Sequence, residues 1–124
     1  MAASWLLPGE EHAVSRTAFE RLTQDDGVAP ALWWFEMRNL LIVNEGRGRI
    51  DADRTSRALS LLASLPIVLD FEANEEDLLG LARRHRLTVY DAAYLELALR
   101  KGADLASLDT ALVAAARADG VVLI

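Results

Sequence analysis

Four short apolar runs, Val28-Ala29, Ile67-Val68-Leu69, Leu105-Ala106-Ser107-Leu108 and Val121-Val122-Leu123-Ile124, punctuate a chain whose other stretches have helical character. Strands that alternate with helices imply a parallel sheet covered on both faces, because parallel neighbours need a crossover and a helix is the usual way to make one. The expected fold class is α/β. Glu10 to Thr23 carries Val14, Phe19 and Leu22 among charges and ends at the Gln24-Asp25-Asp26-Gly27 turn. Pro30 opens a very apolar helix through about Asn44, closed by Gly46 and Gly48. Asp51 to Leu65 turns Leu59, Leu62 and Leu65 inward, and Glu72 to Arg86 has an acidic head and a basic tail that suit its dipole. Two more helices are expected, one from Tyr90 or Asp91 to Leu99 with Gly102 as its stop, the other from Asp109 to Ala118.

A chain of 124 residues, 52% hydrophobic and 26% charged, suits a single domain over residues 1–124 built on one core. It contains no Cys, which removes disulfides, Cys-based zinc sites, iron–sulfur clusters and thiol nucleophiles and agrees with a reducing cytoplasm. Apolar runs such as Leu40 to Val43 fall far short of the roughly 18 residues of a membrane span, so no membrane partner is expected. The opening MAASWLLPGEEH lacks the basic start of a secretion signal. Thirteen basic against 19 acidic residues give a net charge of −6, spread over both halves of the chain. That balance disfavours a broad basic surface for phosphate backbone. Any nucleic-acid role then needs local Arg clusters or a cation in an acidic site.

Three acids stand in apolar settings. Glu36 lies in Trp33-Trp34-Phe35-Glu36-Met37-Arg38-Asn39-Leu40-Leu41, the most apolar helix of the chain, where a buried carboxylate must be paired, protonated or bound to a cation. Asn39, three residues on, shares its face and makes a polar notch with it. The competing reading puts Glu36 on a narrow solvent stripe near Arg47 or Arg49. Asp91 begins a helix among small and aromatic residues, and Asp109 follows the Leu105 to Leu108 run at a strand-to-helix junction. Either acid is also explained as an ordinary N-cap. Yet side chains past the carboxyl ends of parallel strands gather on the ligand-binding edge, and carboxylates without His or Cys are the ligand set of a hard cation, Mg²⁺ or Mn²⁺. Such an ion would let an acidic protein engage a phosphodiester.

Other chemistries are poorly represented. His12 and His85 lie among charges and read as surface residues, and no GxSxG, GxGxxG or Walker-type loop is present. Arg83-Arg84-His85-Arg86 reads as a helix C-terminus before it reads as a nucleic-acid patch.

The segments Trp5 to His12, Pro30 to Leu41, Leu87 to Ala98 and Leu105 to Asp109, in that order and spacing, resemble the PIN-domain family and, within it, the VapC-type toxins of bacterial toxin–antitoxin pairs. The resemblance spans nearly the whole chain. It implies a three-layer α/β/α sandwich with a central parallel sheet, whose acids hold Mg²⁺ or Mn²⁺ and cut RNA. It also implies a cognate VapB-type antitoxin that blocks the site, and a homodimer. Glu36, Asp91 and Asp109 match family acids position by position, with Asn39 and Ser107 at polar positions beside them. The family pattern opens with an apolar strand ending in Asp, ahead of the segment that here begins Ala2-Ala3-Ser4-Trp5, and Met1 falls after that point. Either the start is set too far downstream or the protein is truncated; the expectation for the chain as given is a sheet short of its first strand and a site short of one acid, with weak or no Mg²⁺-dependent cleavage. Two other readings stay open: a catalytically impaired PIN-like module that acts through antitoxin binding or oligomerisation, and, from the acids alone, a metal-dependent phosphatase or nuclease of another α/β family.

Overall fold

The computed structural model describes residues 3–7 and 12–124. Its elements are α1 (Ala3–Leu6), α2 (Ala13–Leu22), β1 (Gly27–Pro30), α3 (Leu32–Gly46), α4 (Ala52–Ser64), β2 (Ile67–Asp70), α5 (Glu75–His85), α6 (Val89–Lys101) and α7 (Thr110–Ala118). Glu10 and Glu11, where the first helix was expected to begin, lie outside the described residues.

β1 and β2 pair in parallel, with Gly27 opposite Ile67 and Pro30 opposite Asp70, and α3 and α4 make the crossover. Pro30 closes the strand instead of opening the helix. At a strand end a proline forfeits only one donor, and the next amide, that of Ala31, donates to the Asp70 carbonyl at 3.0 Å, so α3 begins at Leu32.

The two later runs do not become full strands. They meet at one parallel bridge between Leu105 and Leu123, where the Leu105 amide donates to the Val122 carbonyl at 2.9 Å and the Ile124 amide to the Leu105 carbonyl at 3.0 Å. A pair of strands without further neighbours is marginal, and among the described residues no strand lies on the other side of Leu105 or ahead of β1. The fold is α/β, with a parallel sheet smaller than the sequence leads one to expect.

The apolar interior is also divided, against the expectation of one core. Leu6, Leu7, Leu41, Ile50, Ala58 and Leu62 cluster beneath α1, α3 and α4. Leu81, Ala92, Leu95, Leu105, Leu112 and Ala116 cluster among α5, α6 and α7. The element that ties the halves together is α6, which packs beside β1 as well as against α5 and α7. Its Glu96, 2% exposed, accepts from Arg100 Nε at 2.7 Å and from the Asn74 amide at 3.2 Å. Arg100 in turn forks onto Asp70, at the end of β2, at 3.2 and 2.5 Å.

Helix ends follow the local chemistry. Asp51, Asn74, Thr88 and Asp109 cap α4, α5, α6 and α7, each side chain accepting from the amide three residues on. α5 opens on Glu75, Glu76 and Asp77 and closes on Arg83, Arg84 and His85, as its dipole favours. α6 stops at Gly102, whose φ of 59° is the left-handed conformation glycine adopts without penalty.

Candidate active site

A cavity of about 480 Å³ opens between β1, the 105–109 segment, the end of α2 and the first turns of α3 and α6. Glu36, Asp91, Asp109 and Ser107 all line it; Asn39 does not and is exposed elsewhere on α3. The notch expected between Glu36 and Asn39 is therefore absent, and the 36 side chain turns instead toward α6.

Glu36 corrects a second expectation, since it is exposed and not buried. The reason is that α3, apolar almost all round, is covered on one side only: Leu41 is 1% exposed while Trp34 and Phe35 are 43% and 69% exposed. Glu36 stands at the border of that uncovered surface and the cavity. Neither Arg47 nor Arg49 meets it, and Arg49 lies on Asn44. Its partner is Tyr94, whose hydroxyl donates to Glu36 Oε1. Tyr94 lies on α6 three residues after Asp91, so the same helical face presents both to the cavity. Burial, then the bond to Glu36 and the charges of Glu36 and Asp91, push the tyrosine far above its ordinary range, so it stays a donor at any physiological pH. Sequence reading passed over Tyr94; its i, i+3 spacing from Asp91 was the available signal.

Asp91 is half-buried and is not the cap of its helix. Thr88 takes that role, with Oγ1 accepting from the Asp91 amide at 3.1 Å, which leaves the carboxylate in the third helical position. Burial raises its pKa, and the charge of Asp109 raises it further, against a smaller lowering by Thr88. The two aspartates therefore repel each other across the cavity. Asp109 is exposed and is both cap and cavity wall: Oδ1 accepts from the Leu112 amide at 2.8 Å, and its own amide donates to Ser107 Oγ at 3.0 Å. The capping alternative thus holds for Asp109 without removing the residue from the cavity wall.

Carboxylate oxygens that repel each other are the donor chemistry a hard divalent cation relieves. The arrangement is open, because among the described residues no three Asp, Glu or His side chains come close enough to hold an ion together. Glu36, Asp91 and Asp109 suit such an ion by type and by facing one space, not by a closed shell.

His85 and Arg84 are accounted for structurally. Both converge on Asp119, at 2.9 and 2.5 Å, which places half-buried His85 in a hydrogen-bonded cluster around that carboxylate and not on the free surface expected of it. Burial works against the charge of Asp119, but the bonds from His85 and Arg84 outweigh it and hold the carboxyl below its ordinary range.

Among the described residues no helix is long and apolar enough to cross a membrane. No curated protein matches the chain. The sequence does match the PIN domain over residues 2–118, nearly its full length, which agrees with the α/β fold. The chain belongs to the PIN domain family.

Proposed function

We propose that this protein is a Mg²⁺- or Mn²⁺-dependent endoribonuclease of VapC type, cutting RNA phosphodiesters and restrained by a VapB-type antitoxin. One observation supports the reading above the others: in a domain of nuclease-type family, Glu36, Asp91 and Asp109 open onto one cavity. These three residues would hold the ion, which when bound supplies a polarised water and neutralises charge developing on the phosphate. Tyr94 fixes the direction of Glu36, Ser107 orients the Asp109 backbone, and the repulsion between Asp91 and Asp109 favours any cation that enters. An acidic cavity without such a cation would repel RNA, so metal and substrate binding are coupled.

A second reading, an impaired module that acts by binding partners, draws support from the open arrangement of the acids. Incubating the purified chain with single-stranded RNA and Mn²⁺, with and without EDTA, tests the two. Chelator-sensitive cleavage that Asp91→Asn removes supports the nuclease. Intact RNA together with tight antitoxin binding supports the module.

A further inference from the structure

The chain is acidic as a whole, yet four of its cations, Arg47, Arg49, Arg54 and Arg57, fall within one short segment against only Asp51 and Asp53. The turn from α3 to α4 gathers three of them around an open groove of about 550 Å³, lined by Gly48, Arg49, Ile50, Asp51, Arg54 and Arg57. The turn itself is held firmly. It reverses at Gly48, φ 73°, and is closed by the Gly48 amide on the Glu45 carbonyl and the Arg49 amide on the Asn44 carbonyl, each at 3.0 Å. Ile50 then anchors it in the apolar cluster beneath α3 and α4.

Arg54 and Arg57 lie three residues apart on α4 and so share a face, and helical side chains lean back toward the N-terminus, here toward the turn. Arg54 Nη2 donates to the Leu6 carbonyl at 3.3 Å, and Arg49 Nη1 to Asn44 Oδ1 at 3.4 Å. A guanidinium carries five N–H groups, so both are steered by one bond and keep further donors for a ligand. The nearest acids have other partners. Asp51 caps α4 by accepting from the Arg54 amide at 2.8 Å, and Glu45 accepts from Thr55 Oγ1 at 3.0 Å. Among the described residues the ion pairs belong to Arg21, Arg84, His85 and Arg100, and none to Arg49, Arg54 or Arg57.

We infer that this groove anchors the sugar–phosphate backbone of RNA at a distance from Glu36, Asp91 and Asp109, a site that rests on the ribonuclease reading and adds to it where the substrate is held. Three neighbouring guanidiniums match the repeating charge of a phosphodiester chain, and the planar fork of Arg suits phosphate oxygens. Among the described residues no aromatic side chain lines the groove, so bases are not stacked there and the contacts position RNA without reading its sequence. The spacing keeps the acidic cavity from cancelling the attraction. From Glu36 to Gly46, helix α3 rises about 15 Å, more than the Debye length of about 10 Å at 0.1 M salt.

The test is binding of a fluorescein-labelled oligouridylate to the full chain, read by anisotropy in EDTA, where a metal-dependent site is silent. Binding is expected, with log affinity falling linearly against log salt. Arg57 is exposed, so Arg57→Gln should leave the circular dichroism unchanged. It is expected to lower the salt slope by about 0.7, the value of one phosphate contact to a single strand, and the affinity at about 50 mM salt by about tenfold. Arg57→Lys should restore the slope, since a point charge still meets phosphate. Arg83→Gln, which removes the same charge from the exposed tail of α5, should leave slope and affinity as they are. No binding in EDTA, a slope unmoved by Arg57→Gln, or an equal loss from Arg83→Gln would each overturn the proposal. So would polyglutamate that displaces the probe as well as unlabelled RNA does, the mark of an acidic protein partner. RNA bound in this way but never cut with Mn²⁺ would uphold the groove and remove the nuclease; cleavage without such binding would do the reverse.

Discussion

Asp91 and Asp109 divide the labour of one cavity differently, and substitutions separate their roles. Asp91 repels Asp109 in a half-buried position and caps nothing. Asp91→Asn is therefore expected to raise thermal stability while it abolishes Mn²⁺-dependent cleavage, an exchange common at functional sites. Stability lost together with activity would mean that the carboxylate is structural. Asp109 also caps α7, so Asp109→Ala confounds two effects: loss of a cap costs about 1 kcal/mol. Asp109→Asn keeps a capping oxygen and isolates the chemistry. Tyr94→Phe leaves the cavity wall in place but frees Glu36. Partners that orient ligating groups are worth about 10- to 100-fold in metal affinity, and calorimetric titration with Mn²⁺ should show a drop of that order. The acids themselves were legible in the sequence as isolated charges in apolar segments. Tyr94 was signalled only by its i, i+3 spacing from Asp91, because its partner on α3 is distant in sequence.

Elements were legible wherever capping chemistry is local. Helices α4 to α7 lie within a few residues of their expected limits, since Asp51, Asn74, Thr88, Asp109 and Gly102 act on their own turns. The Leu105 and Val121 runs were misread as full strands because strand formation depends on a neighbour that local sequence does not reveal. Helix α5 ends at Arg86 with φ 54°, a left-handed conformation that costs a non-glycine residue roughly 1 kcal/mol. Arg86→Gly is expected to recover about that much, read as a higher midpoint in urea; a lower midpoint would show that the arginine side chain outweighs the strain. The anchor of α6 carries more. Replacing Arg100 by Met leaves Glu96 buried and unpaired, and breaking such a pair costs about 3–5 kcal/mol. Bonding to Arg100 holds Asp70 below the ordinary carboxyl range, and Asp119 is likewise lowered by His85 and Arg84. Groups lowered on folding stabilise the native state above their unfolded pKa, near 4, and lose that stabilisation as pH falls through the folded value. Stability should therefore fall below about pH 4, and the part due to Asp70 should vanish in the Arg100→Met variant.

At the scale of the molecule, two apolar clusters and a short sheet leave hydrophobic surface without cover. Phe35 and Ile42, seven residues apart on α3, are 69% and 60% exposed, and Trp34 beside them is 43% exposed. Homodimerisation through this helix follows as a prediction: sedimentation at micromolar concentration should give a dimer, and Phe35→Glu with Ile42→Glu a monomer. A wild-type monomer would contradict it. The short extent of the described sheet could not be read from periodicity, because strand formation depends on a neighbour that local sequence does not reveal. The proposal that Glu36, Asp91 and Asp109 form a metal-dependent ribonuclease site is tested at the same scale. The most direct measurement compares Mg²⁺-dependent RNA cleavage by the 124-residue chain and by a version carrying an apolar strand ending in Asp fused ahead of Met1. Faster, EDTA-sensitive cleavage by the extended protein, lost on Asp91→Asn, is the expected result; equal rates from both forms, or cleavage by either that survives EDTA or Asp91→Asn, would contradict the site as described.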